Sequence, residues 1–150
     1  MCIRDSPLRT EEDRMSLITG INKDLIDVIV SDHKPEDEES KRLTFSQAAT
    51  GASGIETLLP LSLELFHNDS IKLSKIIKLL TSNPAKILKI NKGNLSIGND
   101  ADFCIVDLYK PWIVKKENLI SKSKNTSIED KKLQGKVTNT FVKGQELFKV

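Results

Sequence analysis

The spacing of apolar residues divides the chain into a helical first part and a strand-rich second part. Apolar positions recur every three or four residues at about 11–20, 56–66, 72–82 and 83–88, which predicts four helices. Thr10 is the predicted cap of the first helix and Gly20 its end, while Asn83 and Pro84 are predicted to open the fourth. From about residue 91, glycines and short apolar runs predict strands at 103–106 and 112–114 and a hairpin turning at Lys143–Gly144.

Residues 25–31 carry a different pattern, since their β-branched side chains are nearly continuous. Ile26, Val28, Ile29 and Val30 are typical of a parallel strand that is covered on both faces. A helix followed by such a strand is an α/β unit. The predicted fold class is therefore α/β, with a boundary between two structural units near residue 90.

Two long stretches have no period. Residues 32–54 contain Pro35, Gly51 and Gly54 and exceed an ordinary connection, which favours a functional loop. Asp32 opens this loop, and its residue type and position alone fit a loop-capping aspartate better than a catalytic one. Residues 115–134 are rich in lysine and are interpreted as a solvated connection rather than an anion-binding site. The charges of Lys41 and Arg42 are interpreted as solvated in the same way.

Composition limits the classes of function. The chain has 150 residues with 23 basic and 21 acidic side chains, so its net charge of +2 argues against a nucleic-acid partner. No apolar run approaches the roughly 20 residues of a membrane helix, which argues against a membrane partner. Cys2 and Cys104 form no disulfide framework and no C-x-x-C ligand pair, so a cytoplasmic location is expected.

Several segments resemble, in order, the carboxy-terminal third of the dihydroorotases, which belong to the zinc-dependent amidohydrolases. The similarity covers residues 7–149, and its most specific motifs are Asp-His-x-Pro, Gly-x-Glu-Thr and Ser-Lys-Asn. The segments are PLRTEEDR, SDHKPEDEESKR, GIETLLPLSLEL, NPAKIL, KGNLSIGNDADFCIVD and SKSKNTSIEDKKLQGKVTNTFVKGQELF.

The resemblance implies a fold. Members of the family form a (β/α)8 TIM barrel with a small β-sandwich domain. Residues 7–90 would hold the last barrel strand and its helices, and residues 91–150 the carboxy-terminal part of the sandwich. Residues 1–6, MCIRDS, fit this pattern poorly and are expected to be a non-native, assembly-derived lead to a fragment.

The resemblance also implies a site. Asp32 would be a Zn²⁺ ligand and the catalytic proton shuttle, while Thr50 and Gly51 would contact substrate through the backbone. Bound zinc lowers the pKa of water to about 7 and so supplies a nucleophile. The other zinc ligands of the family lie upstream of this chain. Glu36 stands where many relatives have a substrate-contacting histidine, which leaves that contact open, and His33 is interpreted as packing the loop.

The implied activity is the interconversion of dihydroorotate and N-carbamoyl-aspartate in pyrimidine synthesis, with a small-molecule substrate. A homodimer or an association with aspartate transcarbamoylase is the expected assembly. Two alternatives stay open. One is a non-catalytic dihydroorotase-like subunit that partners aspartate transcarbamoylase, and the other is a related cyclic amidohydrolase acting on hydantoin or allantoin.

Overall fold

A computed structural model describes residues 9–150 of the chain. The expectation about residues 1–6 lies outside this range. Within it, helices precede a single sheet, and no helix is long and apolar enough to cross a membrane. The elements are α1 (Glu11–Asn22), α2 (Glu38–Arg42), α3 (Leu58–His67), α4 (Leu73–Leu80), α5 (Ser82–Ile87), β1 (Phe103–Ile113), a 3₁₀ turn (Lys116–Asn118), β2 (Lys132–Val142) and β3 (Gln145–Lys149).

Helix α1 begins as predicted and ends later than predicted. Thr10 and Asp13 form a reciprocal capping box at its start. The prediction that Gly20 ends the helix is wrong, because the helix continues to Asn22. A Cβ on Gly20 would lie 3.3 Å from the Ile26 side chain, so the glycine makes room for the following segment to pack against the helix.

Helix α5 is present, but Asn83 is not its cap. The capping position belongs to Thr81, and the Asn83 side chain instead donates a hydrogen bond of 2.9 Å to the Asp27 carbonyl. This contact ties α5 to the apolar segment 25–31. Asn83, which the local sequence predicts as a helix cap, therefore makes a long-range contact instead.

Residues 25–31 form no strand within the described chain, contrary to the prediction. A strand requires a paired neighbour, and the contacts here are a bond from Ile29 N to Leu79 O and a parallel bridge between His33 and Ala52. Ile26 and Ile29 pack against a core cluster formed by α1, α4 and the turn before α4, whose buried members are Ile18, Ile21, Ile71, Ile76 and Leu79. Packing, rather than a hydrogen-bonded ladder, holds the segment against these helices.

The sheet is antiparallel with the order β1–β2–β3. The predicted hairpin is confirmed: Lys143 and Gly144 form its turn with positive φ angles of 49° and 79°. Asp102 accepts hydrogen bonds from Lys143 N and the Lys92 ammonium. The bond from Lys92 is the main cause that lowers the pKa of Asp102. Helix α3 packs on β2 beside a second core cluster, formed by Val114, Leu119 and Leu133.

Candidate active site

Asp32 stands at the end of the apolar segment 25–31 in a left-handed backbone conformation. Its φ is 46°, in the left-handed region, and its side chain is exposed. Aspartate tolerates this conformation better than most residues with a side chain, and Asp24, Asp69 and Asp130 adopt it too. The conformation therefore marks a turn at the start of the loop, on which the Asp32 carboxylate is exposed.

Asp32 does not behave as a loop cap. Asp37, five residues later, does: its Oδ1 accepts a 2.7 Å hydrogen bond from Ser40 N at the start of α2. That backbone bond is the leading cause that lowers the pKa of Asp37. Among residues 9–150, by contrast, no hydrogen bond or ion pair to the Asp32 carboxylate is found. The carboxylate is left available for a group outside these residues.

His33 packs the loop, as predicted. Its Nδ1 accepts hydrogen bonds from Gly54 N at 3.1 Å and from Ile55 N at 3.3 Å. An Nδ1 that accepts requires the proton of the neutral ring to lie on Nε2. His33 therefore links the two ends of the 32–54 loop.

The second histidine, His67, lies elsewhere, between the rings of Phe66 and Tyr109.

Gly51 occupies a position that no other residue fits. Its φ is +119°, and an added Cβ would lie 2.5 Å from the backbone oxygen of Lys34. Gly51 is buried, whereas the neighbouring Thr50 is half-buried, with its Oγ1 3.5 Å from the Lys34 ammonium. The two candidate substrate-contacting residues therefore lie against Lys34, which is two residues after Asp32 and whose N–H group donates a 3.1 Å hydrogen bond to the Ala52 carbonyl.

Lys41 is not solvated, contrary to its interpretation from sequence. It is only 5% exposed, and its ammonium donates hydrogen bonds to the carbonyls of Ala49 at 2.5 Å and Gly51 at 2.6 Å. Arg42, the next residue, does lie on the surface, where it pairs with Glu38. Helix α2 thus turns one of two adjacent cations inward, onto the loop that carries Thr50 and Gly51.

The segment 119–128 is not a solvated connection either. Leu119 and Thr126 are buried. The Glu56 carboxylate, from the Gly-x-Glu-Thr motif, accepts hydrogen bonds from Ile120 N at 3.0 Å and Ser121 N at 2.9 Å. The segment is therefore bound to the turn that precedes α3 through the Glu56 carboxylate.

The Ser-Lys-Asn motif joins this segment to the Asp32 loop. The Ser123 hydroxyl donates to the Glu36 carbonyl at 2.7 Å. The Asn125 side chain donates to the Gly51 carbonyl at 3.1 Å, and its own carbonyl accepts from Ser53 N at 2.7 Å. The Ser-Lys-Asn and Gly-x-Glu-Thr motifs are therefore both in contact with the loop that carries the Asp-His-x-Pro motif.

A cavity of about 980 Å³ lies between the loop and the 119–128 segment. Sequence reasoning missed it, because its two walls are more than 70 residues apart in the chain. Asp32 is not among the residues that line it, although His33 is. Its charged lining residues are Glu36, Asp37, Glu38, Lys41, Arg42, Lys116, Lys122 and Lys124.

The described residues do not form a metal site by themselves. Zinc sites in proteins take three or four protein ligands. No group of three or more histidine, cysteine, aspartate or glutamate side chains within residues 9–150 could hold a metal ion. Asp32 can offer one carboxylate, so no chemical step through a metal follows from the residues in hand.

Gly51→Ala is expected to destabilise the protein and to displace the loop. A β-carbon here adds left-handed strain of about 1–2 kcal/mol and overpacking against Lys34 O of about 1–3 kcal/mol. Gly98→Ala is the matched control, since Gly98 also has a positive φ, of +92°, but open space around it. The thermal midpoint should fall clearly further for Gly51→Ala than for Gly98→Ala. Equal shifts would show that the contact with Lys34 does not constrain the loop.

The sequence profile described as the Amidohydrolase family matches residues 2–147. Curated proteins named dihydroorotase are similar over nearly the whole chain. The protein of Ehrlichia chaffeensis is 43% identical over 95% of this chain and 32% of its own length. The Anaplasma phagocytophilum protein is 42% identical over 99% and 33%, and the Aquifex aeolicus protein 41% over 95% and 34%. The chain spans about a third of the length of these relatives.

Solved structures of cyclic amidohydrolases have the same arrangement of elements. An L-hydantoinase (dihydropyrimidinase) from Arthrobacter aurescens superposes with a TM-score of 0.90 at 29% identity, over 98% of this chain and 34% of that one. A dihydropyrimidinase from Brevibacillus agri gives a TM-score of 0.91 at 20% identity, over 98% and 33%.

Proposed function

Because this chain belongs to the amidohydrolase family, we propose that it is the carboxy-terminal part of a dihydroorotase, which interconverts dihydroorotate and N-carbamoyl-aspartate. The observation that carries the proposal is the combination of 43% identity to a dihydroorotase with an exposed Asp32 carboxylate that has no partner within residues 9–150. The complete enzyme means this chain joined to the upstream two thirds that its relatives possess.

Asp32 is proposed to move the proton in this reaction. Opening the ring forms a bond from a water oxygen to the amide carbon and breaks the bond from that carbon to the ring nitrogen. The water must lose a proton and the departing nitrogen must gain one. A carboxylate within reach of both atoms can accept the proton at Oδ and return it to the nitrogen. Asp32 is suited to this because no donor within residues 9–150 occupies its oxygens.

Thr50 and Gly51 are proposed to bind the substrate through their backbone. The Gly51 carbonyl already accepts two hydrogen bonds, from Lys41 and Asn125. Its N–H group has no partner among the described residues, so it is the group available to donate to a substrate carboxylate. The absence of a side chain at Gly51 allows the close approach that such a contact requires.

The rest of the architecture is proposed on the same basis. In the complete enzyme, residues 7–90 would complete a (β/α)8 barrel and residues 91–150 would contribute to a β-sandwich. Asp32 would supply one ligand to a Zn²⁺ ion whose other ligands lie upstream. Active sites of such barrels lie at the carboxyl ends of the strands, where Asp32 stands relative to residues 25–31. The cytoplasmic location, and a homodimer or an association with aspartate transcarbamoylase, stay predictions.

A hydantoin-cleaving enzyme is the second candidate, favoured by the fold shared with the Arthrobacter aurescens L-hydantoinase. The sequence favours the first candidate, because identity is 29% to that protein and 41–43% to the dihydroorotases. The Asp32 carboxylate, which has no partner within residues 9–150, favours the enzyme over a non-catalytic subunit.

The complete enzyme is expected to open dihydroorotate with a kcat/KM at least about 10²-fold above that for hydantoin or allantoin. Hydantoin and allantoin both lack the carboxylate of dihydroorotate. A site built to donate hydrogen bonds to that carboxylate discriminates strongly against an analogue that leaves its donor unpaired. The loss of dihydroorotate can be followed by ultraviolet absorbance. Preference for hydantoin or allantoin would select the second candidate, and a folded protein that neither binds zinc nor turns over any of the three would select the non-catalytic subunit.

A further inference from the structure

Two side chains from distant parts of the chain converge on one backbone oxygen. The Gly51 carbonyl accepts from the Lys41 ammonium at 2.6 Å and from the Asn125 amide at 3.1 Å. A carbonyl oxygen has two lone pairs, so these donors saturate it. The peptide that joins Gly51 to Ala52 is therefore fixed in orientation from two sides.

Lys41 makes this contact from a buried position. Lysine is almost never fully buried unless its charge is compensated, and Lys41 is 5% exposed. The carbonyls of Ala49 and Gly51 compensate it through charge-assisted hydrogen bonds. The two carbonyls flank Thr50, so a single ammonium spans the turn that carries both candidate substrate-contacting residues. Helix α2, capped by Asp37, supplies a short rigid base for this side chain.

Asn125 makes the contact from the other wall of the cavity. Its side chain donates to Gly51 O while its backbone oxygen accepts from Ser53 N at 2.7 Å. Two bonds of opposite direction, made to residues two apart, fix both the distance and the register between the segments. The 119–128 segment is itself held by Glu56 through Ile120 N and Ser121 N. The chain of contacts thus runs from α3 through Asn125 to the Gly51 backbone.

We propose that Lys41 and Asn125 are positioning residues that hold the Thr50–Gly51 backbone where it binds the substrate. The proposal rests on the proposed function and deepens it. Neither side chain contacts the substrate, and neither takes part in proton transfer. By fixing the peptides on both sides of Thr50 they aim the Gly51 N–H group. Their loss should weaken substrate binding while leaving the Asp32 chemistry intact.

The test uses Lys41→Met and Asn125→Asp in the complete enzyme. Methionine keeps the length and apolar stem of Lys41 without the ammonium. Aspartate keeps the shape of Asn125 but turns an acceptor toward the Gly51 carbonyl. Arg42→Met is the control for charge removal in the same helix, because Arg42 is exposed and pairs with Glu38. Asn118→Asp is the control for the added acid, because Asn118 is exposed in the nearby 3₁₀ turn.

Both test variants are expected to raise KM for dihydroorotate by about 10- to 100-fold, as expected of a displaced binding group. Their kcat should stay within about threefold of the parent value, which is the signature of lost binding rather than lost chemistry. Both should also accelerate amide hydrogen exchange in residues 50–53, measured by mass spectrometry. The controls should change neither quantity.

The proposal is overturned if KM and exchange are unchanged in both variants, if kcat falls while KM holds, or if the controls behave like the test variants. Should Lys41→Met not fold, Asn125→Asp decides by the same criteria. Should the parent enzyme not turn over dihydroorotate, the proposed function fails by itself. Hydrogen exchange then still decides the positioning role: faster exchange in both variants supports it, and unchanged exchange overturns it.

Discussion

Replacing Asp32 by asparagine in the complete enzyme is expected to lower kcat by about 10²–10⁴-fold, the usual contribution of a general acid–base group. Asparagine keeps the size and most of the hydrogen-bonding capacity of the side chain, but it cannot accept a proton from water and deliver it to nitrogen. The side chain has no internal partner within residues 9–150, so its replacement leaves no buried group unpaired. The loss should therefore appear in turnover, with little change in stability.

Asp37→Asn and His33→Asn are the matched controls. Asp37 lies in the same loop and caps α2, and an asparagine there can still accept from Ser40 N. His33 accepts from Gly54 N and Ile55 N through Nδ1, and an amide oxygen can take over part of that role. Both controls should keep turnover within about tenfold of the parent enzyme, since neither removes the proton-transfer group.

Metal content must be measured beside the rate, because Asp32 is also proposed to be a ligand. A variant that retains zinc and loses turnover isolates the proton-transfer role. Near-full turnover of Asp32→Asn with zinc bound would show the catalytic assignment to be wrong. If His33→Asn lowers turnover more than Asp32→Asn does, the catalytic role belongs to His33 rather than to Asp32.

The local parts of the fold were predictable from the sequence. The helices and the hairpin depend on neighbours within a few residues, as at the Thr10 capping box and the Lys143–Gly144 turn. Two of the errors share one cause, which is that a distant partner decides the outcome. Asn83 leaves its predicted cap for Asp27, and residues 25–31 have the composition of a strand without a partner strand in the described chain.

The residues of the candidate site stay predictions, and the geometry around them was not predictable from the sequence. The resemblance singled out Asp32, Thr50 and Gly51, and no pattern in the sequence indicated that Lys41 is buried against the carbonyls of Ala49 and Gly51. The 119–128 segment was misread for the same reason. Its lysines are visible in the sequence, whereas the backbone bonds to Glu56 and the loop connect residues more than 60 positions apart. Hydrogen bonds of this kind leave no periodic signal.

The 150-residue chain, expressed alone, is expected to fold poorly and to show neither tight zinc binding nor turnover. Residues 25–31 have no strand partner within the described range, and Val30 is 71% exposed. The sheet also exposes large apolar side chains, including Ile105 at 49%, Tyr109 at 64% and Leu147 at 64%. Unpaired strands and apolar faces of this kind promote association. Size-exclusion chromatography should therefore find oligomers or aggregate, and calorimetry should find no sharp reversible transition.

The expected lack of tight zinc binding follows from the number of ligands in the chain. A single carboxylate does not hold Zn²⁺ against a chelator, because tight sites need three or four ligands and residues 9–150 contain no such cluster. Metal analysis after chelator washing should find well under one zinc per chain. Adding the separately expressed upstream two thirds is the informative control, since it should restore both the metal and the turnover if the two parts complement each other. A monomer with a cooperative, reversible melt would contradict the folding prediction, and stoichiometric zinc in the washed chain would show that it contains ligands beyond Asp32.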